Sequence, residues 1–333
     1  MVQLVMALPV TLDFDAECLG TTTATKLAGL DVEIVLPSAE QYPDGRPYVG
    51  PPPTPGVRED IDWSEQLHYE YPWGGVVSTH ADRRLGKGAV VEVDHLLLRV
   101  RVEPGVDKTA AQGIADQVVP ALKPWMHLLA DWVEVIRKTY LDRAEFPGEQ
   151  RISIGSDLVL WYFDGERGHS LSRGMIVGPP GYIGRKGMAL SEWHLALGLA
   201  EAQRKLPTEY VYLRDARGLL RGRANRRSVL DSATAAEISL AKLLDAHIAS
   251  ESESDRKAIR KSNNNLGRLI TTLPKKYGIA LRDDIQSGLA TPRNDAIHAG
   301  IEPSRDAVRL ALDIAAELVE LATPYAELVR LDP

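Results

Sequence analysis

Residues 229–244, VLDSATAAEISLAKLL, decide how the carboxy-terminal part of this chain folds. Val229, Leu230, Ala233, Ala236, Leu240, Leu243 and Leu244 recur at spacings of three and four, which lines them along one face of a helix. Glu237 interrupts that stripe with a carboxylate. Working outward, Leu266, Leu269, Ile270 and Leu273 repeat the spacing, and Pro274 reads as the end of that helix. Ile285 and Leu289 begin a further stripe that Gly300 closes as a C′ residue. Pro303 and Ser304 then open a last long helix faced by Val308, Ala311, Leu312, Ala315, Leu318, Val319 and Ala322. Four or five helices with short connections predict an all-α bundle over residues 206–333, with antiparallel neighbours.

The first 205 residues read differently. All six Trp and all three Phe fall before residue 194. Residues 30–36, 90–102 and 152–162 are rich in apolar and β-branched side chains and predict strands, as do the opening residues around Pro9. Residues 42–55, crowded with Pro and Gly, read as a surface loop. One helix interrupts them, from Lys108 to about Arg143, with breaks expected near Pro120 and Pro124. Its apolar face is Leu128, Leu129, Trp132, Val133, Val135 and Ile136. Residues 1–205 are therefore expected to form a mixed α+β domain with a substantial β-sheet, available for a sensing or targeting role.

The formal charge of −7 is unevenly placed. Residues 1–208 hold 20 Lys and Arg against 28 Asp and Glu, while residues 209–333 hold 19 against 18. Within 214–282 there are 15 basic and 7 acidic side chains, a balance suited to a polyanionic partner or to solvated helix faces. The arginines Arg221, Arg223, Arg226 and Arg227 belong to this stretch and are candidate RNA-backbone contacts. A single cysteine, Cys18, excludes a disulfide framework. No apolar run has the length of a membrane span, and the opening residues lack a basic leader, so a cytoplasmic protein is expected.

The residues with chemical potential are Arg293-Asn294-Asp295-Ala296-Ile297-His298. Histidine transfers protons near neutral pH, and arginine holds a permanent, forked charge suited to phosphate oxygens. Asn294 and His298, four apart, share a helix face; Arg293 lies about 140° round a regular helix from His298, within reach only of a long side chain. A purely structural reading makes Arg293 and His298 a helix-capping pair bonded to Asp295 or Glu237. Glu237 itself reads either as a buried partner of the motif or as a rim residue.

The Arg-four-residues-His pattern, the Asn after the Arg, the closing Ala299-Gly300 and the place in a terminal helical bundle together resemble the HEPN superfamily. The run Ser232 to Ile238 also resembles the helix that packs beside the motif in many members. The resemblance covers residues 208–331. Pro292, directly before Arg293, departs from the usual apolar residue and predicts that the motif helix starts or kinks there, with Thr291 as cap. The resemblance implies a metal-independent endoribonuclease, without cofactor, cleaving RNA by 2′-OH attack on the adjacent phosphate. It implies His298 as base or acid, Arg293 on the phosphorane oxygens and Asn294 as a positioning group, with Glu237 and Asp295 in support. Family sites are composite, so it also implies a homodimer. Toxin or phage-defence effectors, with an antitoxin or defence-complex partner, are the usual setting. The alternative is a non-catalytic HEPN dimerisation or RNA- or nucleotide-binding subunit.

Other chemistry is weakly signalled. Residues 178–187, GPPGYIGRKG, have the wrong spacing for a phosphate loop and read as a glycine-rich turn. His68, His80 and His95 lack zinc-ligand spacing. The segments WSEQLHYEYPWGG and KPWMHLLADW read as core aromatics.

Overall fold

The computed structural model describes residues 2–41, 47–50, 73–76, 90–100, 107–138, 154–163, 168–178 and 187–331. The chain divides into two compact units, Met1–Arg204 and Lys205–Pro333. The first is α+β with an antiparallel sheet, the second helical.

In the first unit the sheet runs β2 (Thr22–Leu27), β3 (Leu30–Val35), β7 (Val90–Val100), β1 (Val2–Asp15), β8 (Ile154–Phe163) and β9 (Gly168–Gly178), all neighbours antiparallel. A short strand β6 (Gly74–Val76) also pairs with β7, and β4 (Ser38–Gln41) pairs with β5 (Pro47–Gly50) in a separate ribbon. The loop expected at 42–55 thus contains a strand at 47–50, and its remainder lies outside the described residues. Pro9 explains an irregularity in β1. The register with β7 shifts between Ala7 and Leu12, so the residue without an N–H sits where no ladder bond is required of it.

β7 is covered on both sides along its centre. Leu96, Leu97 and Leu98 are all buried, and Leu97 packs with Val35 and Trp73. Two helices, α1 (Lys108–Arg137) and α2 (Leu190–Glu201), pack together, and α1 also lies against β9 and β2. Phe14 from β1 meets Trp193 of α2 edge-on at 5.2 Å. Trp125 and Trp132 are core side chains, and the Trp132 indole N–H donates to the Arg204 carbonyl at 2.7 Å.

The expected break in α1 does not occur. The helix continues through Pro120 and Pro124 and ends at Lys138, a left-handed residue whose N–H reaches Glu134 and Val135. An interior proline costs a helix about 3 kcal/mol. Val118, Leu122, Trp125, Met126 and Leu129, all buried around the two prolines, offset that cost by remaining in one stripe.

In the second unit, α4 (Asn225–His247) is the central helix. It packs against α3 (Thr208–Arg221), α6 (Leu266–Tyr277), α8 (Arg305–Ala322) and the motif segment. Its buried side chains are small or aliphatic: Val229, Ala233, Ala235, Ala236, Leu240 and Leu244, with Ser228, Ser232 and Ser239. Each buried hydroxyl bonds a helix carbonyl, Ser228 to Ala216, Ser232 to Ser228 and Ser239 to Ala235, so none is left unsatisfied. Small residues let the neighbouring helices approach closely around α4. Between them, α5 (Glu253–Ser262) buries no residue.

Pro274 does not end α6, which continues one turn to Tyr277 before Gly278 caps it in the left-handed region. Ser304 caps α8 through the Ala307 N–H, and Val308, Ala311, Ile314, Ala315, Leu318 and Val319 form its buried face. A four-residue helix, α9 (Tyr325–Leu328), follows. No helix among the described residues is long and apolar enough to cross a membrane.

Candidate active site

Residues 285–299 form one continuous helix, α7, so Pro292 and Thr291 lie in its interior and not at its start. The helix is regular only over Thr291–Asn294. On either side, Gln286–Ala290 and Asp295–Ala299 are wider π turns. The first turn accounts for the proline. The Thr291 N–H bonds the Gln286 carbonyl, five residues back, and the loosened turn makes room for a ring that would otherwise strike the preceding coil. Gly288 sits in this turn beneath α8, where a Cβ would come within 2.6 Å of Ile314 Cδ1 and 2.9 Å of Leu310 Cδ2. A larger residue here would force the Ile314 and Leu310 side-chain ends to shift.

The second π turn acts on the motif itself. Gly300, at φ 66°, closes it with its N–H on the Asp295 carbonyl, the C′ role its sequence position suggested. Five residues, not four, close a turn here. Asp295 and Gly300 are therefore one turn apart, and because Arg293 lies in the regular turn before it, the offset of about 140° expected between Arg293 and His298 in a regular helix is only partly reduced. Wide turns of this kind recur at functional sites.

The motif side chains are presented outward. Ala296 is the buried residue of the π turn, whereas Asn294, Asp295 and His298 are exposed and Arg293 is half-buried. The Arg293 guanidinium donates to Asn294 Oδ1 at 3.0 Å. Among the described residues that is the only polar side-chain partner either has, and His298 and Asp295 have none. Glu237 is half-buried on α4 and bonds neither Arg293 nor His298. The capping pair with Asp295 or Glu237, considered from sequence, is therefore not formed.

The candidate RNA-contact arginines separate from the rest of their run. Arg214 is held by Asp215 at 2.7 Å, and Arg217 is half-buried, its pKa lowered by burial. Arg221, Arg223, Arg226 and Arg227 are exposed around the turn between α3 and α4, with Arg223 itself left-handed at φ 60°. That turn is tied to the segment just beyond the motif. Asn225 Nδ2 donates to the Pro303 carbonyl at 3.0 Å, and the Arg226 N–H donates to Glu302 Oε1 at 3.2 Å. The arginine turn is thereby fixed beside the end of α7, four residues past His298. No local pattern signals this tie, because its partners are more than seventy residues apart.

Two exposed aliphatic side chains flank His298: Ile297, 38% exposed, and Ile301, 54% exposed. Among the described residues no three His, Cys, Asp or Glu side chains cluster as a metal site would require. His95, one of the three histidines weighed for zinc, contacts Asp94 at 2.6 Å and stacks near Trp73, while His68 and His80 lie outside the described residues, as does the turn at 179–186. No family model, curated protein or solved structure matches the chain.

Proposed function

We propose that the chain is a metal-independent endoribonuclease of the HEPN type, acting in the cytoplasm as a toxin or phage-defence effector. The observation that supports this most is the presentation of Arg293, Asn294 and His298. They stand on a helix widened at both ends, Asn294 and His298 exposed and Arg293 half-buried, with no carboxylate among the described residues engaging them. A structural Arg–His pair would be used up by protein partners; these side chains are left for a ligand. Arg293, pre-oriented by Asn294, offers its remaining guanidinium N–H groups to phosphate oxygens. His298 exchanges a proton with the attacking 2′-OH or the leaving 5′-oxygen. The arginine turn at 221–227 supplies positive charge beside the same helix end.

Cleavage needs both a base and an acid, and one motif holds one histidine. A second copy of the motif across a two-fold axis supplies the other, and Ile297 and Ile301 are the aliphatic groups such a contact would bury. With Ile297 38% and Ile301 54% exposed, removing that remainder from water contributes about 1 kcal/mol for each. Replacing both by glutamate is expected to convert a dimer to monomer in light scattering and to abolish cleavage, with the helical circular dichroism unchanged. A double variant that stays dimeric and active contradicts the composite site.

The nucleophile in this scheme belongs to the substrate. An RNA carrying a single 2′-deoxy nucleotide 5′ of the scissile phosphate should resist cleavage at that bond alone. Cutting there at the unmodified rate would point to water as nucleophile and overturn the reading.

A further inference from the structure

We propose that α5 and α6 form an RNA-docking arm that grips the sugar–phosphate backbone without reading bases, an inference that rests on the ribonuclease reading above. From Arg256 to Arg282 the chain holds eight Lys and Arg and no Asp or Glu, within a protein of net charge −7. These cations are not there to complete a core. α5 buries nothing, and Lys257, Arg260, Lys261, Arg268, Lys275 and Lys276 are all exposed.

A simpler account is that they complement helix dipoles. Arg260 and Lys261 lie in the last turn of α5, and Lys275 and Lys276 in the last turn of α6, where a cation contributes about 0.3–1 kcal/mol. That account needs one cation at each end. It leaves the second at each end, along with Arg256 and Lys257, unexplained, while Arg268 bonds the Ser262 carbonyl at 3.2 Å and Asn264 Oδ1 at 3.3 Å. Ion pairing does not absorb them either. Lys257 meets Glu253 and Arg260 meets Asp245, but both pairs are exposed and of the kind worth at most about 1 kcal/mol. Arg256, Lys261, Lys275 and Lys276 pair with no carboxylate among the described residues.

The arrangement favours a nucleic acid over an acidic protein. Arg256 with Arg260 and Lys257 with Lys261 form two rows at i,i+4 spacing, about 6 Å apart along the helix, matching a linear array of charges. Protein interfaces centre on buried aromatic or aliphatic anchors. Among the described residues the exposed large hydrophobic side chains are Ile297, Ile301, Leu321 and Leu331, and none lies on this arm. Between the two helices run Asn263, Asn264 and Asn265, neutral hydrogen-bonding groups that add no negative charge. α6 packs against the first π turn of α7, so a strand held along the arm is delivered to the motif helix.

The test uses the full chain and a fluorescent 2′-O-methylated RNA, which can bind but offers no 2′-OH nucleophile, so binding is read apart from cleavage. The variant combines Arg256→Gln, Lys261→Gln, Lys275→Gln and Lys276→Gln, with Arg305→Gln/Arg309→Gln on α8 as control. Each single-strand phosphate contact adds about 0.7 to the salt slope of log affinity, so four lost contacts should flatten it by about 3 and weaken binding on the order of 100-fold at about 0.15 M salt. The control should bind like wild type, and changing base sequence should matter little. Wild-type affinity in the quadruple variant, or displacement of the RNA by polyglutamate at equal charge concentration, overturns the assignment. Failure of cleavage alone would leave the arm standing and count against the motif.

Discussion

Replacing His298 by alanine should reduce RNA cleavage by about 10²–10⁴-fold, the usual contribution of a general acid–base group. His298 is exposed and makes no hydrogen bond among the described residues, so its removal leaves the bundle's stability untouched. Arg293→Ala should cost cleavage at least as much, because in the proposed mechanism the guanidinium meets the developing phosphorane. Arg293→Lys should also fail. The present geometry uses one guanidinium N–H on Asn294 and leaves a planar set for phosphate, which an ammonium cannot divide in the same way. Asn294→Ala should show a milder loss, since Arg293 keeps its charge and loses only its anchor. The discriminating readout is cleavage rate alongside a melting curve: variants that melt as wild type yet cut as fast as wild type would remove the motif from the mechanism.

The second large effect concerns stability. Glu209, at the start of α3, is completely buried, and its Oε1 accepts from Lys242 Nζ at 2.5 Å and Thr323 Oγ1 at 2.7 Å. Tyr210 next to it donates to the Thr323 carbonyl at 2.8 Å, so this corner joins α3, α4 and the end of α8. Glu209 Oε2 is buried without a hydrogen bond, which leaves the cluster dependent on the one bonded oxygen. Burial raises the Glu209 pKa, but the bonds from Lys242 and Thr323 outweigh it and hold the carboxyl below its ordinary value. Its contribution is therefore fully present above the unfolded carboxyl pKa, near 4.5, and is lost as pH falls through the lowered folded value. Breaking a fully buried pair costs about 3–5 kcal/mol; with Lys242 44% exposed, about 2–3 kcal/mol is expected for Glu209→Ala. In thermal unfolding at pH 7 that is a drop on the order of 10 °C. The gap between wild type and variant should close as the pH is lowered below 4. A gap that persists unchanged at low pH would mean that packing, not charge, holds this corner.

The helices of the second unit were legible because their apolar residues repeat locally, as at 229–244 and 308–319, and caps such as Ser304 and Gly300 act within one turn. Prolines were misleading. Pro120 and Pro124 read as breaks, Pro274 as an end and Pro292 as a start or kink, and at each the helix continues. The reason differs by place: a buried stripe outweighs the lost bond in α1, and a π turn relieves the clash before Pro292. Neither is visible without the neighbouring helices. The sheet was legible as strands but not as an order, since β1 joins β7 and β8 across long separations. The candidate motif could be picked out because its six residues are contiguous. What the sequence could not express was the widened turn over Asp295–Ala299, or the bonds from Asn225 and Arg226 that place the arginine turn beside the end of the motif helix.

The central claim is that His298 and Arg293 cut RNA using the substrate's own 2′-OH. It is tested most directly with purified full-length protein, end-labelled RNA and EDTA in the buffer, with the new 3′ ends identified chemically. Products should end in a 2′,3′-cyclic phosphate or its hydrolysis product, formed in chelator by wild type and absent with His298→Ala. Cleavage that EDTA abolishes, or that His298→Ala performs at the wild-type rate, would contradict it.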